Sequence, residues 1–147
     1  MDEMILLVKM ESLNHCLDRI QSKMPISQAT LQSDWDLQDI VTLNLQRAIQ
    51  ICVDIASHIN AELSLPAPMN MSESFMHLEQ AKVISPYIVE RMKKSVGFRN
   101  ILVHAYESVD WNIVHAILTQ HLQDFKRYAK EVLDWYEYQR ETTELKG

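Results

Sequence analysis

Residues 36–62 read DLQDIVTLNLQRAIQICVDIASHINAE. Leu37, Val41, Leu45, Ala48, Cys52, Ile55 and Ile59 recur every three or four positions, which places them on one stripe of a helix. No glycine or proline interrupts the run. A helix of this length, roughly 40 Å at 1.5 Å per residue, cannot bury such a stripe against itself and needs other helices around it.

The flanking sequence supplies them. Upstream, Leu6, Met10, Leu13, Leu17, Ile20 and Met24 form a second stripe, which Pro25 ends. A polar loop is expected from there to Ser33 and Asp34, either of which can cap the long helix. Downstream, Leu63 to Met69 (LSLPAPM) is a proline-punctuated loop, and Asn70 and Ser72 can cap a short helix near Glu73–Ala81. Ser85-Pro86 reads as the cap and first residue of a further helix, expected to pass Gly97 as a kink point and to reach about Tyr106. A last helix starts near Asp110, with a seam of Val114, Ile117, His121, Phe125, Tyr128, Val132 and Trp135, broadened by Leu118, Leu122, Ala129 and Tyr136. Three long helices and two shorter ones make an all-α, antiparallel helical bundle. The expectation is a single domain, 1–147, whose residues 136–147 are a polar helix end. Two glycines and four prolines in 147 residues are too few for a turn-rich β fold.

The formal net charge of −6 argues against a broad, sequence-blind grip on nucleic acid, though not against a local basic patch. Arg91, Lys93, Lys94 and Arg99 form such a patch, with Lys82 upstream. Cys16 and Cys52 make no disulfide framework, and the N-terminal apolar run is too short for a signal peptide or a membrane span, so a cytoplasmic protein is expected. The other histidines, His15, His77, His115 and His121, lack metal-ligand spacing and read as structural. Trp35, Trp111 and Trp135 read as core or interface residues. There is no glycine-rich phosphate loop, and neither a metal nor a cofactor is expected.

One segment carries chemistry: Gly97-Phe98-Arg99-Asn100-Ile101-Leu102-Val103-His104-Ala105-Tyr106. At 100° per residue, Phe98, Ile101, Leu102 and Ala105 fall on the core face. Arg99, Asn100, His104 and Tyr106 fall on the opposite side, with Tyr106 beside Arg99 and with Val96 and Val103 among them. Two valines on a polar face suggest a second subunit packed there. Arginine is a fixed-charge fork for phosphate, and histidine moves protons near neutral pH. The two lie about 140° apart on one helix, so two copies facing each other across a two-fold axis would converge better than one. By spacing alone, a solvated arginine and histidine remain an alternative reading. Asn44, Arg47, Asp54 and His58 form a polar stripe flanking the core stripe of residues 36–62. It either lines the same cleft or is a rim satisfied by neighbouring helices. Lys93 and Lys94 are either contacts for RNA or a partner protein or members of an ordinary solvated helix face.

The Arg99-Asn100-x-x-x-His104-x-Tyr106 segment resembles the R-x-x-x-x-H-x-Y signature of HEPN-domain toxins of the HepT type. Leu37 to Ile40, Leu43 to Arg47 and Asp54 to Ile59 are similar to the second helix of those proteins, and His121 to Phe125 to their last helix. The likeness spans most of residues 5–135, with no departure at the motif positions. It implies a homodimeric, metal-independent ribonuclease, the toxin of a toxin–antitoxin pair, with its active site in the dimer cleft and RNA, transfer RNA included, as substrate. It implies Arg99 on the scissile phosphate, His104 as acid or base and Asn100 in support. It also implies an MntA-like nucleotidyltransferase antitoxin that silences the toxin by attaching AMP to Tyr106. The alternative is a non-catalytic HEPN bundle that binds substrate for a nucleotidyltransferase. A purely structural oligomerisation module is a third reading.

Overall fold

The computed structural model describes residues 2–146. Its long helices are α1 (Glu3–Gln21), α3 (Trp35–Glu62), α5 (Pro86–His104) and α7 (Leu122–Lys146), with short helices α2 (Gln28–Ser33), α4 (Met71–Gln80) and α6 (Trp111–Ala116). A π-helical turn, Ile117–His121, joins α6 to α7, and a 3₁₀ turn spans Tyr106–Ser108. The caps follow local chemistry. Asp34, Asn70 and Ser85 each accept a hydrogen bond from the backbone N–H three residues on, and Asp110 from the N–H two residues on.

The central element is α3, which packs against α1, α2, α4, α5 and α7. Contacts between its side chains and its neighbours fix the directions. Lys9 reaches Asp54 while His15 and Cys16 share a groove with Arg47, and Arg99 and Tyr106 reach Gln50 and Asp39, so α1 and α5 both run antiparallel to α3. The Arg91–Asp124 and Ser85–Glu131 contacts set α7 antiparallel to α5. The result is an up-down-up-down bundle, all-α among the described residues.

Val41, Leu45, Ala48, Cys52, Ile55 and Ile59 are fully buried, as their spacing requires. Polar groups inside the bundle are hydrogen-bonded. The Tyr128 hydroxyl donates to the Cys52 carbonyl oxygen at 2.9 Å. The Asn60 amide donates to the Ala56 and Ser74 carbonyls, and its side-chain oxygen meets His77 at 2.7 Å. Burial pushes the Tyr128 hydroxyl and the Cys52 thiol to weaker acidity, and both cysteines are free. Among the described residues, no helix is long and apolar enough to cross a membrane.

Three expectations are corrected. The loop before Ser33 contains α2, which anchors one apolar residue, Leu31, and is capped by Ser27. A single buried side chain gives no periodicity to read. The first helix ends at Gln21, so Met24 packs from the following turn. The helix expected to reach Tyr106 stops at His104, because Ala105 leaves helical geometry at φ −146°, ψ 48°. Of the three tryptophans expected in the core or an interface, Trp35 is 78% exposed at the start of α3 and so is no core residue of this chain, and Trp111 and Trp135 pack partly buried against the core.

α5 continues through Gly97, where an added methyl would meet nothing within 4 Å. Alanine forms helix better than glycine by about 0.5–1 kcal/mol. Gly97→Ala is therefore expected to raise the free energy of unfolding by about that amount, read as a higher urea midpoint at unchanged slope.

Candidate active site

The site lies where the C-terminal half of α5 crosses α3. Phe98 and Leu102 are buried beneath it and fix the rotation of α5. Val96, expected on the polar face, is buried with them. Ile101, expected in the core, is 42% exposed, and Val103 is 40% exposed. The apolar surface beside the motif is therefore Ile101 and Val103, together with Leu43 of α3, rather than Val96 and Val103.

Arg99 lies half-buried against α3. It donates from Nη2 to Gln50 Oε1 at 3.2 Å and from Nη1 to Asn100 Oδ1 at 3.5 Å. Its Nε is buried without a hydrogen-bond partner among the described residues. Gln50 in turn donates from Nε2 to Asp54 Oδ1 at 3.0 Å, and Lys9 of α1 approaches Asp54 Oδ2 at 3.5 Å. His104 is exposed at the last position of α5 and makes no hydrogen bond to a described residue. Both ring nitrogens are therefore open to a reacting group.

Tyr106 sits elsewhere than the helical projection placed it. With α5 ended at His104, its hydroxyl points to Asp39 Oδ1 at 3.4 Å, and its ring lies edge-on to Trp111 at 6.1 Å. Asp39 and Gln50 are separated by roughly 16 Å along α3. Tyr106 and Arg99 thus engage opposite ends of one strip of α3. Between them, Asp39, Thr42, Leu43, Gln46, Leu102 and Tyr106 line a groove of about 290 Å³.

The flanking stripe divides. Asn44 is buried and its amide donates to the Ile40 carbonyl of its own helix, so it faces no cleft. Asp54 joins the Arg99 network. Arg47 is exposed in a groove of about 590 Å³ between α1 and α3, shared with His15, Cys16 and Gln50. His58 is exposed two turns beyond Gln50. Sequence reasoning missed Asp39 and Gln50; the only signal for Gln50 was its i, i+4 relation to Asp54.

The basic patch also divides. Arg91 donates from Nε to Asp124 Oδ2 at 2.9 Å, and that carboxylate also accepts from Tyr87 and His121. Lys93 faces Glu90 at 3.5 Å. Lys94 makes no such contact and lies with Arg91, Phe98 and His121 around an apolar pocket of about 240 Å³. The described residues contain no cluster of three or more His, Cys, Asp or Glu able to hold a metal ion.

A family profile described as Ribonuclease HepT-like matches residues 13–132. The chain is 37% identical over 124 residues to the mRNA nuclease HepT of Shewanella oneidensis, covering 84% of this chain and 92% of that protein. It is 27% identical over 131 residues to the tRNA nuclease HepT of Aphanizomenon flos-aquae, covering 89% of each. The fold superposes with a TM-score of 0.84 on a tri-AMPylated Shewanella oneidensis HEPN toxin in complex with an MNT antitoxin, at 35% identity, over 91% of this chain and 99% of that one. The fold is that of a HEPN-type RNA-cleaving enzyme. The chain belongs to the HepT-like ribonuclease family.

Arg91 is a structural cation on this geometry, since its removal strips a buried carboxylate of its charged partner. Arg91→Ala is expected to cost about 1–3 kcal/mol in urea denaturation, whereas Lys94→Ala stays within about 0.5 kcal/mol of the parent.

Proposed function

We propose that this chain is the toxin of a toxin–antitoxin pair and cleaves RNA as a homodimer, with Arg99 and His104 of two facing copies forming one cleft. The observation that carries the reading is the pairing of an anchored Arg99 with an unengaged His104 on an α5 surface bordered by exposed Ile101, Val103 and Leu43. An exposed apolar border around a polar motif is the form of a self-complementary interface.

The chemistry needs no group beyond those of the chain and the RNA. A ribose 2′-hydroxyl gives its proton to one His104 and its oxygen forms a bond to the adjacent phosphorus. The bond to the 5′-oxygen breaks, and a proton from the partner's His104 goes to that oxygen. The products are a 2′,3′-cyclic phosphate and a 5′-hydroxyl. Arg99 stabilises the charge that develops on the non-bridging oxygens, and Asn100 holds the guanidinium from the solvent side. Lys93, Lys94, Arg47 and His58 flank the site as contacts for RNA or antitoxin.

Silencing is proposed to fall on Tyr106. A nucleotidyltransferase antitoxin transfers AMP from ATP: the Tyr106 oxygen bonds the α-phosphorus, pyrophosphate leaves, and the phenolic proton is released beside Asp39. The added nucleotide fills the groove beside Tyr106 and obstructs the cleft that RNA would enter.

His104→Ala is expected to lower the rate of RNA cleavage by about 10²–10⁴-fold without loss of helicity, checked by gel assay of the purified protein beside its circular dichroism spectrum. Tyr106→Phe is expected to keep its ribonuclease activity and to gain no AMP when incubated with its antitoxin and Mg-ATP, read by intact mass. Modification of Tyr106→Phe at the parent rate would move the acceptor elsewhere.

A further inference from the structure

Arg99 is the group proposed to meet the scissile phosphate, and the role assigned below to its anchor rests on that reading. The anchor is Gln50, an uncharged residue, although a carboxylate would hold a guanidinium more strongly. The reason lies in the next link. Arg99 only donates hydrogen bonds and Asp54 only accepts them. A primary amide is the neutral group that can join them, giving its N–H to Asp54 at 3.0 Å and its oxygen to Arg99 at 3.2 Å. Asp54 therefore decides which way the Gln50 amide faces. Lys9, reaching across from α1 at 3.5 Å, offsets the carboxylate charge on the side away from Arg99.

We infer that Gln50 and Asp54 are positioning residues for Arg99, and that Gln50 is the specificity-determining link: it fixes the guanidinium while leaving its charge uncompensated for an RNA phosphate. A carboxylate at position 50 would pair with Arg99 and occupy its charge, and would exchange the N–H bond to Asp54 for a like-charge contact. A side chain with no polar group would leave Arg99 charged and unaimed. An anchor serving stability alone would tie the activity of every variant to its melting temperature.

The test compares Gln50→Glu, Gln50→Ala, Asp54→Asn and the double variants Gln50→Ala/Asp54→Asn and Gln50→Glu/Asp54→Asn in steady-state cleavage of a defined RNA oligonucleotide, with thermal melting of each. Gln50→Glu is expected to melt no higher than the parent, because it faces Asp54 as a like charge, and to raise KM and lower kcat/KM by roughly tenfold or more; adding Asp54→Asn to it is expected to recover the melting temperature and not kcat/KM. Gln50→Ala should chiefly lower kcat and lose less in kcat/KM than Gln50→Glu. Asp54→Asn should lose activity on its own but add little to Gln50→Ala, because it acts through the amide. Gln50→Glu with parental kcat/KM, or fully additive losses in Gln50→Ala/Asp54→Asn, overturns the inference. His104→Ala run alongside separates the two levels. If it too retains cleavage, the site assignment itself has failed. If it abolishes cleavage while the position 50 variants behave as the parent does, only the positioning role has failed.

Discussion

The burial of α3 is the constraint on which the rest depends. Thirteen of its 28 residues are buried, and they cover about half of its circumference. A helix buried across so wide an arc has to be covered by several neighbours at once, and α1, α4, α5 and α7 do this. The strip of α3 left over, Asp39, Leu43, Gln46, Gln50 and Asp54, is the ground on which the site is built. Chemistry and core thus share one helix, separated only by its rotation.

The polar interior keeps that rotation in place. Cys52 lends its carbonyl to Tyr128, Asn60 ties α3 to α4, and Asp124 gathers Arg91, Tyr87 and His121 at the α5–α7 contact. Each is a directional bond in a region where an unpaired group is costly, so small rolls of α5 over α3 are opposed. Asp124 also withdraws Arg91 from the basic surface. The cationic character left near the motif is therefore narrow, in keeping with an acidic protein that engages a polyanion at one place.

The elements with strong periodicity or explicit capping chemistry were legible in the sequence: α3, α7, the Asn70 and Ser85-Pro86 starts, and the motif itself. What stayed hidden had little signal. α2 offers one buried leucine. The end of α5 falls at an Ala-Tyr-Glu run with neither glycine nor proline to mark it. That displaced Tyr106 from the projected face, since a single non-helical residue turns everything after it. Reading Ile101 as core and Val96 as polar was a rotational error of the same kind: helical projection orders residues around an axis but does not say which neighbours close over them. Asp39 and Gln50 are ordinary polar residues whose roles exist only once α5 is in place.

The network around Arg99 draws on Lys9, Gln50, Asp54 and Asn100, so its parts span nearly the first two thirds of the chain. During synthesis, α1 and α3 can pair as soon as both have emerged, but there is no arginine for them to aim until α5 has been made and docked. A half-translated copy accordingly lacks the network. The last helix then closes over α3 and α5 and sets their rotation, which leaves competence to the final stage of folding. For a chain of a ribonuclease family, that order of assembly keeps the motif apart from its supports until most of the protein has been made.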